Sequence, residues 1–203
     1  MNIPKVVVFD LGKVLVDFDY SISSAKFAAK GSCTPQQVRD LIDHSPLLYR
    51  FETGLLTNEQ FYGEVRSITG FCGSFEEFRD TFADIFTEIK AMTAMQAALR
   101  AKGIPTFIFS NTNGIHINHI KKKFPFFSNF DGYIYSFEQG AMKPNPKIYE
   151  VVERLTGHGG SDIVYLDDRA ENFEGGRVRG WNAILHKTAE ESIPALRELG
   201  LPV

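Results

Sequence analysis

Cysteine is scarce in this chain: Cys33 and Cys72 are the two among 203 residues. They lie far apart without metal-type spacing, which excludes a cysteine metal cluster and leaves free thiols in a reducing, cytoplasmic setting as the expectation. Neither has a plausible base near it in sequence, so no catalytic thiol is expected. An excess of basic charge is also missing. The net charge of −3 gives no field for a polyanion, so nucleic acid is not an expected partner, and a small phosphorylated ligand would need a local positive site. No apolar run approaches the ~20 residues of a membrane span. The amino terminus reaches its first apolar run within a few residues, without a basic segment and an apolar stretch ahead of a cleavage site, so no secretory signal is expected. What is present is ordinary for a globular protein, with 43% hydrophobic and 23% charged residues. The length suits one domain, or one domain carrying an inserted subdomain, and nothing in it sets an oligomeric state.

The most informative stretch runs from Val6 to Asp17. Four apolar residues, three of them β-branched, lead into Asp10, and Gly12 follows. A short apolar run bounded by a turn signal reads as a buried strand of a parallel sheet, with Asp10 at its carboxyl end. Further strands are expected at Ile104–Phe109, Gly132–Tyr135, Ile163–Leu166 and Asn182–Leu185, with a helix at Ile193–Leu199 closing the series. Strands alternating with helices indicate βαβ units, hence an α/β protein with a Rossmann-like parallel sheet and helices on both faces.

Between the first two strands, residues 20–102 follow a helical pattern and are expected to form a small bundle. Phe75, Phe78, Phe82, Ile85, Phe86 and Ile89 recur at spacings of three and four, predicting one stripe of an amphipathic helix. Thr34-Pro35 reads as an N-cap followed by proline at the first helical position, and Thr57 with Gln60 as a capping box. The connector Tyr49–Leu55 mixes aromatic, charged and glycine residues, making Arg50 and Glu52 candidates for substrate contact. Both also fit ordinary solvated charges, and Gly54 fits a helix C-cap. The expected division is a core of residues 1–19 and 103–203 with an insertion of 20–102.

Each of the first four strands of the core leads to a chemically useful group: Asp10, then Ser110-Asn111, then Lys143 beyond the third strand, then Asp167-Asp168. Each alone fits a turn or cap. Parallel strands deliver their carboxyl ends to one edge, so the four sets converge. Three carboxylates on one rim repel one another unless a cation lies among them, and oxygen ligands suit Mg²⁺. With a lysine, a hydroxyl and turn amides beside it, such a site would hold a phosphate.

Those four motifs, in that order, resemble the haloacid dehalogenase-like superfamily along nearly the whole chain, with the insertion resembling its small helical cap. The resemblance implies that Asp10 is a nucleophile forming an aspartyl-phosphate. It implies Mg²⁺ held by Asp10, the carbonyl of Gly12 and Asp168, with Asp167 assisting directly or through water. Ser110 and the amide of Asn111 would bind the phosphoryl group, Lys143 would offset charge, and Asn172 would orient the metal and Lys143. One departure stands out. The family's phosphatases usually carry a second aspartate, the general acid and base, where this chain has Gly12. Asp-Leu-Gly followed by Asp17 and Asp19, with Phe-Glu-x-Gly in the insertion, is similar to a branch that includes glucose 1-phosphate phosphatases. The expected function is a Mg²⁺-dependent phosphatase acting on a small phosphorylated metabolite. The alternatives are a metal-independent 2-haloacid dehalogenase, against which Asp167-Asp168 argues, and a weakened binding or regulatory protein. Asp17 and Asp19 are the first substitutes for the missing acid.

Overall fold

The computed structural model describes residues 3–43 and 45–203. Its centre is the apolar run Val6–Phe9, every residue of which is buried. Side chains alternate across a strand, so Val7 and Phe9 enter one apolar cluster while Val6 and Val8 enter another on the opposite face. Only a strand with helices on both sides needs both, which is why this segment carries no polar residue.

The chain runs through β1 (Val6–Phe9), a tight turn and β2 (Val16–Phe18). Five helices follow: α1 (Tyr20–Ala28), α2 (Pro35–Ile42), α3 (Pro46–Glu52), α4 (Asn58–Thr69) and α5 (Phe75–Ala83). It returns on β3 (Phe86–Glu88) and continues as α6 (Lys90–Ala101), β4 (Thr106–Ser110), α7 (Gly114–Lys123), β5 (Gly132–Tyr135) and the single turn α8 (Ser136–Gln139). Then come α9 (Pro146–Thr156), β6 (Ile163–Asp167), α10 (Ala170–Arg177), β7 (Asn182–Leu185) and α11 (Ala189–Glu198). The main sheet has the order β5-β4-β1-β6-β7 with every pair parallel, so all five expected strands are present and β1 lies in the middle. Val8 sits opposite Phe107 on one side and Tyr165 on the other.

The five helices between β2 and β3 have their own apolar cluster, built on Phe27, Phe51, Phe61, Phe78 and Phe82. Phe51 and Phe61 stack with ring centroids 4.1 Å apart. Each fully buried phenylalanine stabilises by roughly 1.5–3 kcal/mol relative to exposure, so these few side chains give the insertion a core of its own. Its helices start where the caps indicate: Thr34 with Gln37 and Thr57 with Gln60 both form capping boxes, and Ser74 with Glu77 forms a third.

Two expectations need correction. The aromatic stripe does not continue as one helix to Ile89. α5 ends at Ala83, and Phe86–Glu88 pairs antiparallel with Val16–Phe18, so Ile85 and Phe86 join the sheet's cluster instead. Inter-strand hydrogen bonds from β2 satisfy the backbone there, and the two strands form the stem through which the insertion leaves and re-enters. The insertion also ends before residue 102, because α6 packs Met92, Met95 and Leu99 onto the main sheet's face. No described helix is long and apolar enough to cross a membrane.

Candidate active site

Parallel strands bring β1, β4 and β6 to one rim, and the structure gathers Asp10, Ser110, Lys143 and Asp168 around one cavity of about 660 Å³. Lys143 is the hub. Its Nζ lies 2.9 Å from Asp10 Oδ1 and 2.6 Å from Asp167 Oδ2, and it donates to the Phe109 carbonyl at 2.8 Å. The ammonium also sits 4.9 Å from the centre of the Phe109 ring. Burial would strip a proton from Lys143, but Asp10 and Asp167 outweigh it and hold its pKa above the ordinary lysine value. Burial pushes the Asp10 carboxyl up, opposed by Lys143 and reinforced by Asp167 and Asp168. Crowded buried carboxylates of this kind favour a cation among them.

Asp10, Asp167 and Asp168 each offer an oxygen within 4.8 Å of the others. Their circumstances differ. Asp167 is fully buried, and its Oδ1 accepts from the Arg169 amide at 2.9 Å and Asn172 Nδ2 at 3.0 Å, while Oδ2 accepts from Lys143 and the Tyr165 hydroxyl. A carboxylate has about four lone-pair sites, so Asp167 is saturated. It anchors Lys143, and Asp10 and Asp168 are the carboxylates open to a metal. Asn172 is tied to Asp167, and Tyr149 donates to its carbonyl at 2.8 Å.

Asn111 serves differently from the reading of its amide alone. Its side chain clamps the loop carrying Lys143, donating to the Lys143 carbonyl at 3.0 Å and accepting from the Lys143 amide at 2.8 Å. Ser110, the last residue of β4, is buried at the cavity edge.

Gly12 faces the ring of Phe18. A Cβ built at position 12 would lie 2.9 Å from Phe18 Cε1, closer than a side chain allows. Phe18 is held there by Lys13, whose ammonium lies 4.6 Å from the ring centre, and by edge contacts with Tyr20 and Phe86. A carboxylate at position 12 would therefore require the Phe18 ring to shift. Asp17 and Asp19 line the cavity but are engaged: Asp17 pairs with Lys13 and accepts from the Phe18 amide, and Asp19 caps α1 through the Ser21 amide at 2.8 Å. Those hydrogen bonds, first Lys13's on Asp17 and Ser21's on Asp19, hold both carboxyls below the usual range. Both are poor proton donors at neutral pH.

The insertion supplies the facing wall. Leu48 and Glu52, four residues apart on α3, both line the cavity, whereas Arg50 lies on the other side of that helix in an exposed pair with Glu64 at 2.9 Å. Arg50 is therefore not brought to the site, because a helix cannot turn positions 50 and 52 the same way. Glu52 is buried, and burial raises its carboxyl to about 7 against the opposing influence of Asn113 and Arg169. Tyr20, His116 and Arg169 complete the wall, and no motif in the sequence marks them. Of the supporting groups, Tyr165 carried a usable signal, because it stands two residues before Asp167 on the same strand face and a buried tyrosine hydroxyl needs a partner. A second hollow of about 850 Å³, lined by Phe51, Gly54, Lys121 and Tyr135, contains none of Asp10, Ser110, Lys143 and Asp168.

A model of the haloacid dehalogenase-like hydrolases matches residues 4–180. The chain is 23% identical over 185 residues to D-ribitol-5-phosphate phosphatase of Bacteroides thetaiotaomicron, covering 87% of this chain and 89% of that protein. Among solved structures, a haloacid dehalogenase-like hydrolase of Porphyromonas gingivalis superposes with a TM-score of 0.84 at 24% identity, covering 98% of each chain. A family enzyme of B. thetaiotaomicron, solved with magnesium and inorganic phosphate, gives 0.79 at 21% identity over 91% of this chain and 94% of the other.

Proposed function

The chain belongs to the haloacid dehalogenase-like hydrolase family, and from that membership we propose that it is a Mg²⁺-dependent phosphatase of small phosphomonoesters, working through an aspartyl-phosphate on Asp10. The observation that carries this reading is the contact of Lys143 with Asp10 at 2.9 Å beside the second free carboxylate, Asp168. The donor set suits a hard cation: Asp10 and Asp168 would offer carboxylate oxygens and Gly12, which lines the same cavity, its carbonyl. When bound, Mg²⁺ would neutralise charge on the transferring phosphoryl group.

Asp10 attacks phosphorus, and its carboxylate is kept in line by the Leu11 amide at 2.7 Å and by Lys143. Ser110 and the Asn111 amide hold phosphoryl oxygens, and Lys143, fixed by Asp167 and by the Asn111 clamp, offsets charge between nucleophile and phosphate. Glu52, Tyr20 and Arg169 give the leaving-group side of the cavity both polar and aromatic surface, which suits a sugar or polyol phosphate. The named activity of the B. thetaiotaomicron relative supports that class. The carboxylates of Asp167 and Asp168 weigh against metal-independent dehalogenation.

Phosphate release from ribitol 5-phosphate, glucose 1-phosphate and p-nitrophenyl phosphate, with Mg²⁺ and with chelator, tests the proposal. Turnover should require Mg²⁺ and vanish in Asp10→Asn, since an amide neither attacks phosphorus nor neutralises the metal. Full activity in that variant, or no Mg²⁺-dependent release from any ester, would overturn the mechanism.

A further inference from the structure

Position 12 carries no proton donor, and Asp17 and Asp19 are held as carboxylates, so none of these three positions has a proton to give the leaving oxygen. The opposite wall holds a buried carboxyl at the last residue of α3, Glu52. Leu48 lines the same cavity one turn earlier, so α3 presents this face to the strand ends. Resting on the phosphatase reading above, we propose that Glu52 is the general acid and base, giving its proton to the leaving oxygen and then taking one from the attacking water.

The steps balance without a further reactant. An Asp10 oxygen bonds to phosphorus as the bond from phosphorus to the leaving oxygen breaks, and the Glu52 proton passes to that oxygen, leaving Glu52 ionised. In the second half-reaction ionised Glu52 takes a proton from water, the water oxygen bonds to phosphorus, and the bond to Asp10 breaks. Asp10 returns as carboxylate, inorganic phosphate leaves, and Glu52 is protonated again.

The surroundings suit a group that must exist in both states. Asn113 at the start of α7 and Arg169 beyond β6 both act on Glu52, and Arg39 and Asp43 from α2 and its end, Tyr20 from α1 and His116 from α7 line the same cavity. The other elements packed on α3 turn their charges elsewhere: Glu59 and Glu138 line the second hollow, Glu64 pairs with Arg50, Tyr62 donates to the Gly73 carbonyl, and Arg66 is exposed. Burial leaves Glu52 titrating near 7, where protonated and ionised forms coexist at neutral pH.

The test compares wild type with Glu52→Gln, a nearly isosteric change, using Mg²⁺ and two probes, ribitol 5-phosphate and p-nitrophenyl phosphate. On ribitol 5-phosphate kcat should fall about 10²–10⁴-fold. On p-nitrophenyl phosphate, whose leaving group needs no proton, the variant should release a stoichiometric burst of nitrophenolate and then stall, with phosphorylated Asp10 recovered by acid quench and mass spectrometry. Added formate should restore turnover in Glu52→Ala, a second variant in which a small carboxylate can occupy the vacated space. If Glu52 only grips the leaving group, KM for ribitol 5-phosphate rises while nitrophenyl turnover and its pH profile stay unchanged, which overturns the proposal. An active wild type with an equally active Glu52→Gln sinks this inference alone, whereas a wild type silent on both esters sinks the phosphatase reading with it.

Discussion

Glu52 ties stability to pH as well as to chemistry. Its folded carboxyl titrates near 7 against an ordinary 4.5, because burial penalises the charged form. Between those values the folded chain keeps a proton that the unfolded chain has released, so Glu52's contribution to stability falls as pH rises through this window. The full penalty, on the order of 3 kcal/mol, is reached above pH 7 and is absent below 4.5. Glu52→Gln lacks it, so urea unfolding at several pH values should show the variant gaining on wild type with rising pH; a constant difference would mean Glu52 is not buried as a titrating group. The sequence made some of these side chains visible and hid others for a physical reason. Asp10 and Lys143 stand where an apolar strand or a Gly-Pro turn isolates them, so their place at the rim was legible. Asp167 and Asp168 are adjacent, yet a strand turns neighbours to different surroundings, and one became a saturated anchor while the other stayed open. That the Phe18 ring packs over position 12, or that Glu52 and not Arg50 faces inward, depends on packing partners such as Phe86 that are distant in sequence.

Gly54 decides how α3, and Glu52 with it, docks on the core. Its φ is +73°, and a Cβ there would fall 2.2 Å from the Phe137 carbonyl oxygen, on the helix turn α8 against which α3 packs. Left-handed backbone alone costs a non-glycine residue roughly 1–2 kcal/mol, and the overlap adds a similar amount, so Gly54→Ala should destabilise by about 2–4 kcal/mol. The backbone must shift to relieve the contact, so α3 should also show faster amide exchange while the β1 amides stay protected. Equal protection of α3 in the variant would contradict this account of the junction. The larger elements were legible where one signal acted alone: apolar runs between turn residues marked all five strands of the sheet, and capping residues marked α2 and α4. β2 and β3 were hidden because three residues are too few for a period, and Ile85-Phe86 extends a helical stripe as readily as it starts a strand. The place of α6 is not legible in the same way, because an amphipathic pattern shows that a helix packs but not on what.

The fold as a whole concentrates charge that the composition conceals. A net charge of −3 over the chain says little, yet β1 and β6 bring Asp10, Asp167 and Asp168 together within 4.8 Å, with Lys143 the ammonium among them. The rim is thus poorer in energy without a cation than with one, and binding to the folded state alone must stabilise it by mass action. At a concentration 100 times its dissociation constant, Mg²⁺ should contribute about 2.7 kcal/mol, which for a chain of this size raises Tm by roughly 5–10 °C. The two neighbouring aspartates should then separate cleanly. Asp168→Asn leaves the buried network intact and should keep most of the metal-free stability while losing most of the Mg²⁺ shift. Asp167→Asn removes the charge that Lys143, Tyr165 and Asn172 converge on, so it should cost about 3–5 kcal/mol before any metal is added, and its remaining folded fraction should still respond to Mg²⁺. Differential scanning fluorimetry of the three proteins across a Mg²⁺ titration checks this, with urea midpoints fixing the metal-free baseline. The reverse pattern, with the metal response lost at 167 and kept at 168, would make Asp167 the ligand and Asp168 the bystander, and would require the hydrogen bonds now saturating Asp167 to open when the ion enters.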